Sequence, residues 1–109
     1  MKDHRNIDER SLAFGRAIAA RLPEHPELFA QARATAIRWI TTGSPRASSD
    51  LREWLVALDG PPEGVIALLT GADERAVRLR QSNPFAGALP PREREAILKR
   101  YQAHDPATA

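Results

Sequence analysis

The side chains able to do chemistry are few and scattered. Histidines stand at His4, His25 and His104, in an N-terminal segment, an interhelix turn and the C-terminal end, and no spacing puts two imidazoles on one helical face. Metal sites and acid–base couples need convergent side chains. The histidines therefore read as solvated groups, and no metal or other cofactor is expected. Cysteine is absent, which removes disulfides, thiolate zinc sites and a cysteine nucleophile together. Carboxylates occur at first-turn positions such as Glu27, Asp50 and Glu63, or beside arginines, as in Arg92-Glu93-Arg94-Glu95. These are helix-dipole and surface-pair placements rather than a buried acid–base couple. The six glycines match no phosphate-loop spacing. With so little to support catalysis, the expectation is a non-enzymatic protein.

Arginine is what remains, at 14 of the 16 basic positions. Because guanidinium stays protonated to very high pH, the isoelectric point of about 9.7 overstates a formal net charge of only +2. Arg75, Arg78 and Arg80 gather just before Asn83-Pro84-Phe85, and Arg92, Arg94, Lys99 and Arg100 follow. Proline fixes its own φ and drives Asn83 out of the α region, so a helix should stop near Ser82 and a turn should present Phe85. Two readings of Phe85 stay open: a plug buried between the flanking helices, or a hook for a partner. With Arg75, Arg78, Arg80 and Asn83 it forms the candidate partner-binding set. If the helices on either side of the turn form a hairpin, the basic side chains converge on one end of the domain. Otherwise they are a solvated face whose field Glu74, Glu93 and Glu95 largely cancel. Arg33, Arg38, Arg46 and Arg52, flanking Gly43, form the alternative set for nucleic acid, with Arg52 the one plausible base contact on a reading helix. Only weak, nonspecific DNA binding is expected of it.

The elements that must position these groups are helices. Leu12, Gly15, Ile18, Ala19 and Leu22 recur at three- and four-residue steps after an Asn6-to-Glu9 capping-box start, and Pro23 closes that helix. Pro26 opens a second, with the stripe Leu28, Phe29, Ala32, Ala36, Trp39 and Ile40, ending at Gly43. A loop over Thr42–Ala47 leads to a third helix capped by Ser48 or Ser49 and carrying Leu51, Trp54, Leu55 and Leu58. Pro61-Pro62 starts a fourth that Gly71 ends, Asp73-Glu74 a fifth, and Pro90-Pro91 a sixth that buries Ile97, Leu98 and Tyr101. No run alternates with period two. The expected fold is therefore all-α, a compact bundle of six short helices packed largely as sequence neighbours around Trp39, Trp54 and Leu58.

At 109 residues the chain has room for one domain, placed at 6–104, with 1–5 and 105–109 as flexible tails. No apolar run approaches the roughly 20 residues of a membrane span, and the polar start shows no signal-peptide core. A cytoplasmic protein is the expectation; its oligomeric state is left open.

Three stretches carry a resemblance: Arg16-Ala17-Ile18-Ala19, Arg52-Glu53-Trp54-Leu55 and Leu79-Arg80-Gln81-Ser82-Asn83-Pro84-Phe85-Ala86-Gly87. In their order from Ser11 to Tyr101 the chain resembles small helical antitoxin-like proteins of bacterial toxin–antitoxin modules, often encoded beside a toxin-like partner. The resemblance implies an antitoxin that binds and neutralises a toxin. A DNA-binding transcriptional repressor, acting on the same operon, is the alternative.

Overall fold

Prolines and glycines set the helix boundaries in a computed structural model that describes residues 2–43 and 45–102, with side chains for 8–43 and 47–101. Among the described residues there are six helices and no strand: α1 (Lys2–Arg21), α2 (Glu27–Thr42), α3 (Pro45–Asp59), α4 (Pro62–Thr70), α5 (Glu74–Arg80) and α6 (Pro91–Gln102). Gly43 and Gly71 close α2 and α4 through their backbone N–H groups, which donate to Trp39 O and Ala67 O. Asp73 caps α5 by accepting from the Ala76 N–H at 3.3 Å, satisfying a donor that the first turn leaves open.

Two starts differ from the sequence expectation. α1 begins at Lys2 rather than Asn6, because no proline or glycine interrupts residues 2–5, and Asn6 and Glu9 become interior positions. α3 begins at Pro45 rather than at a serine cap, since proline at the first helical position loses no hydrogen bond. The connection between α2 and α3 shrinks to residues 43–44. Residues 105–109 and His104 lie outside the described residues, as do the side chains of His4 and Arg46.

Sequence neighbours pack from α2 through α5, as expected, whereas α1 does not pack on α2 nor α5 on α6. α1 lies against α4, α5 and α6, while α3 lies against α2, α4 and α5, so the short apolar α4 sits between two layers. α5 and α6 make no hairpin; α6 crosses instead to α1, where Arg21 meets Glu93 at 3.5 Å. The contact of α1 with α4 is close because Gly15 faces the Leu69 carbonyl, and a side chain at that position would overlap its oxygen. A glycine inside a helix costs up to about 1 kcal/mol relative to alanine; here it is what allows the two backbones to touch.

The core is centred on Trp54, which is fully buried and donates its indole N–H to Leu79 O at 2.7 Å. Phe85 stands edge-on to Trp54 at 6.1 Å and to Phe29 at 6.3 Å, both favourable aromatic geometries. Phe85 is only 3% exposed, so it is the core plug and the hook reading is overturned. Trp39 departs from expectation in the other direction. α2 is an edge helix with α3 as its one helix neighbour and Phe85 against its Phe29, so its buried stripe is Leu28, Ala32 and Ala36, and Trp39 is half-buried at the wall of a surface depression with Leu51 and Gln81. In α6, Ile97 is buried and Leu98 and Tyr101 are half-buried.

Candidate functional site

Ser11, Phe14 and Ile18 recur at three- and four-residue steps on α1 and so share one face. That face forms one wall of a recess of about 200 Å³. Arg80, at the end of α5, lines it, the connection from Asn83 to Leu89 wraps it, and Arg94 of α6 completes it. The connection is held in shape locally: Asn83 Oδ1 accepts from the Phe85 N–H at 2.9 Å, and the Ala88 N–H donates to Phe85 O at 3.0 Å. Gly87 takes φ +82°, a conformation that a side chain disfavours. Gln81 Nε2 reaches Ser11 Oγ at 3.5 Å, linking the start of the connection to α1.

Arg80 is the unusual group. It is 5% exposed, its Nη1 donates to Leu68 O at 2.9 Å, and its Nε is buried without a hydrogen-bond partner among the described residues. No carboxylate among those residues stands at ion-pair distance from it. Burial pushes the Arg80 pKa below its ordinary value; Asp73 and Asp8 act in the opposite sense, and Arg16 adds to the fall. An arginine nonetheless keeps its charge at neutral pH, so a cation is held at the wall of a largely apolar recess. Gly15 also bears on this placement, since a Cβ there would come within 3.3 Å of Arg80 Cδ. Arg94 is exposed at the mouth.

Arg75 and Arg78 stand apart from the recess, in a half-exposed ion-pair network. Arg78 grips Glu53 with both terminal nitrogens, at 2.9 and 3.3 Å, and pairs with Asp50 as well. Arg75 Nε donates to Glu53 Oε1 at 3.1 Å. The network clamps α5 on α3. Hydrogen bonds from Arg78 and then Arg75 hold the Glu53 carboxyl below the usual carboxylate range, and Glu53 in turn raises Arg78. The five expected residues thus split: Arg80, Asn83 and Phe85 meet at the recess, Phe85 as a wall, while Arg75 and Arg78 are tied into the bundle. Because α6 packs on α1, only Arg94 of the later basic residues joins them.

In the alternative set, Arg33 pairs with Asp59 and so ties α2 to α3. Arg38 and Arg52 are exposed, and the Arg46 side chain lies outside the described residues. His25 is half-exposed, its Nδ1 3.2 Å from Glu27 Oε2. Among the described residues no cluster of three potential metal ligands occurs, and no helix is long and apolar enough to cross a membrane.

Sequence reasoning missed Ser11, Phe14, Gly87 and Arg94 as parts of one recess, and it missed the burial of Arg80. A signal for the last was present: Ala76, Leu79 and Arg80 follow the i, i+3, i+4 spacing of one helical face, and all three are buried. The recess offers one buried and one exposed guanidinium, a hydroxyl, an amide and apolar walls. Among the described residues no carboxylate or histidine lines it, so its chemistry is that of holding an anionic, partly apolar group. The chain matches no known protein family, no curated protein and no solved structure.

Proposed function

We propose that the chain is a non-enzymatic protein-interaction domain, and specifically a cytoplasmic antitoxin that neutralises a partner toxin by taking part of it into the Arg80 recess. One observation carries the reading: a nearly buried guanidinium with no paired carboxylate among the described residues lines a preformed recess with apolar walls. A buried charge is costly unless it is paired, and a partner can supply the missing anion. The arginine supply argues the same way. Arg33, Arg75 and Arg78 are engaged by Asp59, Glu53 and Asp50 within the domain, so a phosphate backbone would have to compete for them. The toxin identity of the partner comes from the sequence resemblance alone.

The exposed Arg38 and Arg52 favour a second reading, the DNA-binding repressor. Titration of the chain with the product of the adjacent gene and with duplex DNA, each at two salt concentrations, tests both. The interaction reading expects the protein complex to lose little affinity with salt. It expects DNA to bind only in the ~10⁻⁴–10⁻⁶ M range of nonspecific association, with a steep salt slope from counterion release. Nanomolar binding to its own promoter by the chain alone would overturn it in favour of the repressor.

A further inference from the structure

We propose that the recess is a carboxylate site: it takes a single carboxylate carried on a small apolar or aromatic body, such as the C-terminal residue of a polypeptide or a free aromatic acid. The proposal rests on the interaction reading only for which molecule brings the group. Three features select this chemistry. The first is charge. Arg80 is 5% exposed, has one N–H committed to Leu68 O and another without a partner among the described residues, and a monoanion matches this one buried cation, the second guanidinium of the lining, Arg94, being exposed to solvent. A phosphate dianion would need more. Known phosphate sites supply it with helix N-termini, whereas Arg80 stands in the last turn of α5, where the negative end of the dipole opposes a dianion about twice as strongly as a monoanion.

The second feature is size. At about 200 Å³ the recess falls below the roughly 300–1,000 Å³ of sites for drug-sized ligands, which suits one residue-sized group. The third is the wall. Phe14, Ile18 and Leu89 line the recess and give an aliphatic or aromatic body a surface to bury, while Arg94 at the mouth draws the anion in.

The test uses the full chain and backbone amide shifts of α1 and residues 80–94, with four probes. These are phenylacetate, phenylacetamide, inorganic phosphate and a blocked short peptide ending in a free C-terminal phenylalanine. Arg80→Met removes the Leu68 hydrogen bond together with the cation, so the comparison of acid with amide on the unaltered chain carries the decision. Saturable shifts are expected with phenylacetate, and about tenfold weaker binding of the amide, the worth of one charge-assisted hydrogen bond. Arg94→Gln should weaken the acid about two- to fivefold, as for an exposed charge, without altering the melt. Absence of saturation, equal binding of acid and amide, or equal binding of phosphate would each overturn the proposal. A peptide acid that binds more tightly than phenylacetate supports a protein terminus as the source. A peptide acid that binds no more tightly keeps the carboxylate site but overturns the partner reading of the recess.

Discussion

Replacing Gly15 by alanine sets two physical expectations against each other. Helix propensity alone favours alanine over glycine by about 0.8–1.0 kcal/mol in a helix interior, and Gly15 lies well inside α1. The packing of α1 on α4 predicts the opposite sign. The added methyl would overlap the Leu69 carbonyl oxygen and lie 3.3 Å from Arg80 Cδ. Leu69 lies in the last turn of α4, where the neighbouring carbonyls are held by the Gly71 N–H on Ala67 O and by Arg80 on Leu68 O, so the backbone does not turn aside and α1 must lift. Along that contact Ile18, Leu22, Val65, Leu68 and Leu69 are each 3% exposed or less, and a gap of even ~0.5–1 Å forfeits a quarter to a half of each dispersion contact. Overpacking of this kind costs about 1–3 kcal/mol. Set against the propensity gain, a net loss of about 1 kcal/mol is expected, visible as a lower urea midpoint at unchanged slope. Gly64→Ala is the control, because a Cβ there meets nothing within 4 Å; it should raise stability by up to about 1 kcal/mol. A Gly15→Ala chain as stable as the parent, or more so, would refute the close approach of α1 and α4 and with it the placement of Arg80.

Trp54→Ala and Phe85→Ala should each lower stability by about 3–5 kcal/mol, whereas Trp39→Ala, at the edge of α2, should cost less than half as much in the same melts. Glu53→Gln removes the clamp between α5 and α3. Because Glu53 is held below its ordinary value of 4.5, the stability it contributes is present above that value and is lost as pH falls through its lower folded value. The difference between parent and variant in urea midpoint should therefore vanish as pH is taken well below 4.5. Gly87→Ala should cost about 1–2 kcal/mol from its left-handed backbone alone, since a Cβ there meets nothing within 4 Å; an unaltered melt would contradict the turn.

What the sequence disclosed was local. Helix ends were legible wherever proline, glycine or a capping aspartate marks them, as at Pro61-Pro62, Gly71, Asp73 and Pro91. They were misread at Lys2, where no residue marks the start, and at Pro45, where proline opens the helix in place of a serine cap. Contacts remote in sequence were not legible. That α6 returns to α1, and that α4 lies between two layers, follows from which stripes fit together in space, and no residue spacing states it. Trp39 shows the consequence: its stripe is correct, yet α2 has one helix neighbour, so part of the stripe stays at the surface. Arg80 shows the reverse. Its charge argued for solvent while its spacing argued for the interior, and the spacing prevailed because Gly15 leaves room for its stem and Leu68 O accepts one of its hydrogens.

The central claim, that the domain engages its partner through the Arg80 recess, is tested most directly by following the side-chain Nε–H resonance of Arg80 while the product of the adjacent gene is titrated into the labelled chain. Binding through the recess predicts that this resonance shifts and saturates together with the backbone amides of Phe14, Gly87 and Arg94. Saturable shifts confined to α2 and α3, around Arg38 and Arg52, with the Arg80 resonance unmoved, would contradict it.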